Sequence, residues 1–386
     1  MRRVLLICMC AAFICGGSSA YALLGKVIYV QTLDKSSSGP ADVIERDLDS
    51  EKTQVLIAHS DLHRDFKSSI GSLSVSPDGS RIVLGESVLA KLEGSEALDV
   101  IGLKLWLWDR ATKAFRLIVT NPEAYQVFWS HTGRYILIIG AYGSRFSVYD
   151  TSNQKLSEYK MPGAISALSW SAGGTGVICA IPEKKPESTV HFQPLASGDR
   201  RPLFRWSKEI TAIAESPDGS QYAIYDESGV YLVSGDTKTV RKLSLPVKGA
   251  STTADLLYNP KCSKVGVLVS TGLGDQEPLV NVDEFLWSVD AASGEGSHLG
   301  TWHESYQAIS PEKGEVVTRS FVDWLSDGKS LIISGNVTWG GQGLADNRND
   351  RFRLWVHDVT KPDADGKLIF DSGPGVSCIS WWPGSR

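Results

Sequence analysis

Three features of this 386-residue sequence predict an all-β fold, a β-propeller of seven four-stranded blades. A short apolar strand, a turn of the Pro-Asp-Gly kind and a second apolar strand recur along the chain. No stretch sustains a helical period or carries helix caps. The chain ends on one strand and begins with three, so that its two ends complete each other.

The turns carry the repeat. Leu73-Ser74-Val75-Ser76-Pro77-Asp78-Gly79 and Ile213-Ala214-Glu215-Ser216-Pro217-Asp218-Gly219 are its clearest copies. Phe128-Trp129-Ser130-His131-Thr132-Gly133 and Trp324-Leu325-Ser326-Asp327-Gly328 are weaker ones. Leu168 to Gly174 and Leu257 to Pro260 are degenerate, and Ile379 to Gly384 stops at the turn. Proline presets φ, aspartate bonds back to nearby backbone, and glycine accepts positive φ, so the phrase joins two antiparallel strands tightly.

A second phrase follows in most units. A strand rich in β-formers ends on an aspartate, as in Leu105-Trp106-Leu107-Trp108-Asp109, Phe146 to Asp150, Leu286 to Asp290 and Leu354 to Asp358. A polar turn and an outer strand come next. Each unit therefore holds four strands in roughly 40–55 residues, the span of a propeller blade. First strands are expected near Ser72, Gln126, Ser166, Thr211, Asp255, Phe321 and Ser377. Twelve tryptophans, several at inward strand positions, suit blade-on-blade packing.

The final strand, Val376 to Trp382, lacks the three that should follow it. The first strands, Lys26–Gln31, Asp42–Leu48 and Thr53–Ala58, lack an innermost one. Pairing them closes the ring and removes an open edge. Six or eight blades are the alternative counts, because the third and fifth units are the weakest copies.

Residues 1–22 read as a secretory signal: Arg2 and Arg3, an apolar run from Val4 to Cys15, small residues, and Ala20-Tyr21-Ala22 as an A-x-A site. The run is shorter than the roughly 20 residues a bilayer span needs. Export to the periplasm or outside the cell is the expectation, with 23–386 as a single propeller domain. Removal of the signal moves the formal charge from -5 to -7, which gives no reason to expect nucleic acid as partner. Three cysteines remain, Cys179, Cys262 and Cys378. They are odd in number and too scattered for a disulfide framework, and none belongs to a CxxC, which speaks against a zinc site.

These turn and strand phrases resemble the TolB-like and WD-like propeller repeats of many exported bacterial proteins. The resemblance covers nearly the whole chain after the signal. It implies the propeller fold and, by analogy with TolB, a structural place in an envelope assembly. The small domain that precedes the propeller in TolB has no counterpart in these residues.

In such blades the Pro-Asp-Gly turns mark one face, and long connections are expected on the other. They fall at Thr32–Ala41, Glu86–Val100, Thr271–Asn281 and Gly335–Asp350, in the closing, first, fifth and sixth blades, which are neighbours around the ring. Trp302 to Val317 is a further long connection in that sector. Loops on a rigid scaffold commonly carry binding residues. Trp302, His303 and Trp339 are candidates to stack on a sugar or a peptide side chain. The plainer reading is that each packs beneath its own loop. Asp346, Arg348 and Asp350, with Asn347 and Asn349, form a polar run, but Arg348 in its middle and the missing EF-hand spacing speak against a cation site. His59, Asp61 and His63 could ligate a metal only if helical, and they fall in a connection.

Neither a Gly-x-Ser-x-Gly elbow nor a His-Glu-x-x-His nor a Walker loop is present. The serines of the Ser-Pro-Asp-Gly turns are turn residues, not nucleophiles. The sequence thus points to a non-enzymatic binding scaffold for a protein or carbohydrate ligand, engaged through the loop-rich face. A propeller enzyme of the lyase or lactonase type, with a site in the central funnel, is the alternative, because such sites assemble from distant blades. No motif names a cofactor.

Overall fold

The computed structural model describes residues 24–33, 40–62, 69–91, 98–120, 124–140, 143–183, 186–196, 198–245, 251–273, 279–307, 315–339, 351–361, 366–373 and 376–382. The segment expected as a signal lies outside them. The closing blade takes β1 (Lys26–Thr32), β2 (Ala41–Asp47) and β3 (Thr53–Ile57). The first blade is β4 (Ile70–Val75), β5 (Arg81–Lys91), β6 (Leu98–Asp109) and β7 (Phe115–Val119). The second is β8 (Ala124–Trp129), β9 (Tyr135–Gly140), β10 (Arg145–Asp150) and β11 (Lys155–Lys160). The third is β12 (Ala167–Trp170), β13 (Gly176–Pro182), β14 (Ser188–Pro194) and β15 (Arg201–Trp206). The fourth is β16 (Ile210–Glu215), β17 (Gln221–Asp226), β18 (Gly229–Ser234) and β19 (Val240–Lys242). The fifth is β20 (Ser251–Tyr258), β21 (Lys264–Leu273), β22 (Leu279–Asp290) and β23 (Gly296–Gln307). The sixth is β24 (Glu315–Trp324), β25 (Ser330–Trp339), β26 (Arg351–Asp358) and β27 (Lys367–Asp371). The last strand, β28 (Val376–Trp382), returns to the closing blade, whose order is β28-β1-β2-β3.

Seven four-stranded antiparallel sheets result, as the repeat predicts. β28 pairs with β1 from Lys26↔Trp382 to Gln31↔Val376. The chain's tail is therefore the strand its head lacks.

The turn chemistry explains why these residues make hairpins. In the first blade the Ser76 hydroxyl donates to Asp78 and accepts the Arg81 N–H, while Asp78 also receives the Ser80 N–H. Ser216 and Asp218 repeat the arrangement in the fourth blade. Ser130, Ser171 and Asn259 take the serine's accepting role in the second, third and fifth. Each serine is thereby occupied as a clamp across its own turn. The second phrase works similarly. Asp47, Asp109, Asp150, Asp290 and Asp358 each accept backbone N–H groups two or three residues on. An Asx turn of this kind ends the third strand and starts the fourth.

The core is divided among the gaps between blades. Among the described residues it forms seven apolar clusters, one for each seam of the ring. Because strand side chains alternate, every inner strand supplies two seams at once. Ile82 and Leu84 face the closing blade while Val83 faces the second. Burial of one such side chain contributes about 1.5–3 kcal/mol, so each seam is stable only when both blades are present. Tryptophans at the ends of first strands add polar stitches. Trp129 Nε1 donates to the Ser74 carbonyl of the first blade at 3.1 Å, and Trp324 Nε1 to Leu257 of the fifth at 3.0 Å.

Closure has its own lock. Glu45 of β2 is buried and accepts hydrogen bonds from Lys26, Gln54 and Arg110, the last from the first blade. Burial pushes its carboxyl up, but the bonds from Arg110, Lys26 and Gln54 outweigh that and hold it below the usual carboxylate range. The Trp382 ring packs against both Lys26 and Arg110, 5.4 and 5.2 Å from their charged ends.

Candidate functional site

The face opposite the Pro-Asp-Gly turns is uneven, as expected, but the described parts of its long connections are largely strand. β5 runs to Lys91 and β6 begins at Leu98, paired from Lys91↔Leu98 downward. β21 and β22 pair as far as Leu273↔Asn281, and β23 follows β22 to Leu279↔Gln307. β24 and β25 pair up to Glu315↔Trp339. Three blades, the first, fifth and sixth, thus send extended hairpins beyond the ring, where β17 and β18 close at Asp226↔Gly229. The physical reason is visible in Val280-Asn281-Val282-Asp283, whose alternation of apolar and polar residues is the sequence pattern of a strand rather than a loop.

The sequence-predicted residues distribute as follows. Trp302 stands in β23 opposite Glu284, and His303 follows it opposite Asp283. Trp339 is the last residue of β25. Asp346, Arg348 and Asp350 lie outside the described residues, as does His63. His59 and Asp61 form a single 3-10 turn rather than a helix of ligands, and the His59 backbone N–H donates to Asp42.

Trp302 meets charge as well as apolar surface. Arg319 of β24 lays its guanidinium over the Trp302 ring at 4.4 Å and lies 5.7 Å from Trp355. It donates to Glu284 Oε2 at 2.7 Å, and its backbone N–H reaches Glu284 Oε1 at 3.1 Å. Both side chains are withdrawn from solvent, with 7% and 1% of their surface exposed. His357 meets the edge of Trp302 at 5.6 Å between ring centres. This group bridges the fifth and sixth blades at the level where their hairpins leave the ring. Farther out on the same blade, Arg353 and Arg351 share Asp371, at 2.9 and 3.8 Å.

A second buried acid sits at the corresponding level of the first blade. Glu86 accepts the Trp106 Nε1–H at 2.9 Å and lies 3.6 Å from Lys104. Sequence reading passed over Glu86, Glu284 and Arg319. The available signal was a charged residue inside an apolar or aromatic strand, as in Asp283-Glu284-Phe285-Leu286-Trp287, because a charge buried there must be paired. Among the described residues no group of three or more His, Cys, Asp or Glu side chains is arranged to hold a metal ion. Nor is any helix among them long and apolar enough to cross a membrane.

No family model matches this sequence, and no curated protein does. Solved structures do. A Bacteroides uniformis protein assigned as a 6-phosphogluconolactonase is 15% identical, with 92% of this chain and 99% of that one covered at a TM-score of 0.50. TolB from Acinetobacter baumannii is 14% identical over 70% of this chain and 62% of its own, at 0.41. The β-propeller domain of Cps50 (Swd1) from Myceliophteria thermophila is 13% identical over 78% and 86%, at 0.47. The likeness is one of fold.

Proposed function

We propose that this protein is an exported binding scaffold that holds a protein partner against the sector of its fifth, sixth, closing and first blades. One observation carries the reading: the hairpins of the first, fifth and sixth blades rise beyond the ring, while those of the second and fourth do not. A ring with seven stitched seams supplies rigidity, and hairpins standing on one side of it supply a surface that a partner can engage without remodelling the core. The buried Glu284–Arg319 pair supports this by fixing the fifth blade to the sixth where the hairpins depart. The Ser-Pro-Asp-Gly hydroxyls are held in turns, so they contribute clamps and no nucleophile. The export expectation rests on the first 22 residues of the sequence.

The test shortens the hairpin between β21 and β22 by replacing residues 272–282 with a two-residue turn. The variant and the intact protein, both without residues 1–22, are used to capture proteins from an envelope fraction, with cross-linking mass spectrometry as readout. A partner retained by the intact protein and lost from the shortened one supports the reading. Equal capture by both, or stoichiometric metal in the purified protein together with turnover of a lactone or a uronate polymer, overturns it.

A further inference from the structure

Every blade of a propeller leaves its fourth strand as an open edge, and natural edges are usually blunted by shortness, proline or lysine and arginine. Most outer strands of this ring follow that rule. β7 carries Arg116, β11 carries Lys155 and Lys160, and β15 carries Arg201, Pro202 and Arg205. β19 is three residues long with Arg241 and Lys242, and β27 begins with Lys367. β3 has neither lysine, arginine nor proline but spans only five residues. β23 departs from all of them. It spans twelve residues, Gly-Ser-His-Leu-Gly-Thr-Trp-His-Glu-Ser-Tyr-Gln, with no proline, lysine or arginine.

Its geometry adds to its composition. β23 is the terminal strand of its sheet, with β22 on its inner side and, among the described residues, no strand on its outer side. At ~3.4 Å per residue it presents an edge ~40 Å long. A bulge interrupts the ladder near His298, but from Gly300 to Gln307 the pairing with Leu279–Leu286 is continuous. In an antiparallel ladder about half of the backbone N–H and C=O groups of an edge strand point away from its neighbour. A regular row of alternating donors and acceptors at that spacing is matched by another extended chain. A sugar or a small ion has no repeating amides with which to match it.

We propose that the outer edge of β23, over Gly300–Gln307, is a strand-addition site for an extended segment of a partner protein. The inference rests on the binding-scaffold reading and names how the partner is held. Backbone hydrogen bonds supply the affinity, and side chains alternating on either side of the added strand supply selectivity. The site lies on the fifth blade, in the sector whose hairpins rise beyond the ring, and the strand that bears it also bears Trp302. A long outer strand that lacks lysine, arginine and proline, and whose one carboxylate is Glu304, is a hazard unless it is used.

The probe is a displayed library of random peptides as long as β23, selected on the intact propeller. Binding peptides are then followed by amide hydrogen exchange across the whole chain. Slowed exchange in Gly300–Gln307, with peptides rich in β-branched and aromatic residues, is the expected result. The Thr301→Lys/Ser305→Lys variant, placing two lysines on this edge, is expected to weaken the peptides by about tenfold or more. Protection of some other strand, equal affinity for variant and wild type, or failure to select any peptide overturns the proposal. So does concentration-dependent dimerisation abolished by the two lysines, which would identify a second copy as the occupant. Shortening the hairpin between β21 and β22 also removes Leu279–Val282, the ladder partners of Glu304–Gln307, so the separating variant is the two-lysine one with that hairpin intact: envelope-protein capture that it retains and the shortened variant loses overturns this inference and leaves the reading beneath it standing.

Discussion

The indole of Trp382 lies over Gly79 so closely that a Cβ built on that glycine would fall 2.2 Å from the ring. Gly79 belongs to the first Ser-Pro-Asp-Gly turn and Trp382 to the strand that closes the ring. A turn that looks generic in sequence is therefore also the seat of the closure.

Gly219 makes a matched control, since it occupies the same turn of the fourth blade. Its φ is +72 against +68 for Gly79, so alanine meets similar backbone strain at both. At Gly219 the nearest atom to a new Cβ is 3.7 Å away. Gly219→Ala is expected to cost about 1–2 kcal/mol for the left-handed conformation alone. Gly79→Ala should cost a further 1–3 kcal/mol or so, because the Trp382 ring must move. Urea denaturation of both variants reads the difference, and equal losses would show that the contact with Trp382 is not tight. Deletion of residues 376–386 removes the ring's closing strand outright and is expected to lower the melting temperature of the whole domain.

The Glu284–Arg319 pair leads to a second expectation. Removing one partner of a buried ion pair leaves a charge without compensation and typically costs about 3–5 kcal/mol. Arg319→Met and Glu284→Leu should each destabilise on that scale. The Arg319→Met/Glu284→Leu double variant removes both charges and should recover much of the loss. A double-mutant cycle in urea checks this, and additive losses would argue against coupling between the two side chains.

The architecture was legible in the sequence because strand pattern and turn chemistry are local. Ser76 to Gly79 and Ser216 to Gly219 announce their hairpins, and the closure followed from an unmatched Val376–Trp382. The sector of long connections was legible as well, since segment lengths alone locate it. The nature of those connections was not. Val280 and Glu304 lie where loops were expected, and only the register with neighbouring strands shows a ladder. Glu284 and Arg319 are separated by 35 positions and meet across a blade seam, a relationship no spacing rule encodes. Trp302 was singled out as a stacking residue; the structure places the Arg319 guanidinium over it.

Acid should find the Asx turns before it finds the core. Arg134 donates to Asp150, Ser152 adds two bonds, and the carboxyl is held down to about 2 against burial. Asp218 is likewise held to about 2, chiefly by the Ser220 N–H and the Ser216 hydroxyl. Asp47, Asp109, Asp290 and Asp358 are lowered by the same kind of bond. A carboxyl whose folded value lies below its unfolded value, near 3.9, binds fewer protons when folded. Its contribution is therefore complete above about pH 5 and lost as the pH falls from about 4 toward 2. Stability measured from pH 6 down should stay flat and then drop in that window. Asp150→Asn should shrink the drop, whereas an unchanged acid limb would remove Asp150 from the account.

Cys262 occupies the place in the fifth blade's turn that glycine holds elsewhere. Its φ is +57, beside +68, +66, +61, +72 and +66 at Gly79, Gly133, Gly174, Gly219 and Gly328. The turn is otherwise intact, with the Cys262 N–H donating to the Asn259 carbonyl at 3.0 Å. Burial and the neighbouring Asp218 push its thiol up, so it is a poor nucleophile at neutral pH. A residue with a Cβ in this conformation costs roughly 1–2 kcal/mol relative to one without. Cys262→Gly is therefore expected to stabilise the protein by about 1 kcal/mol, even though it removes a side chain and loosens the unfolded chain. Cys262→Ala keeps the strain and should show no such gain. A Cys262→Gly variant that melts no higher than Cys262→Ala would mean that the entropy glycine adds to the unfolded chain offsets the strain of the turn.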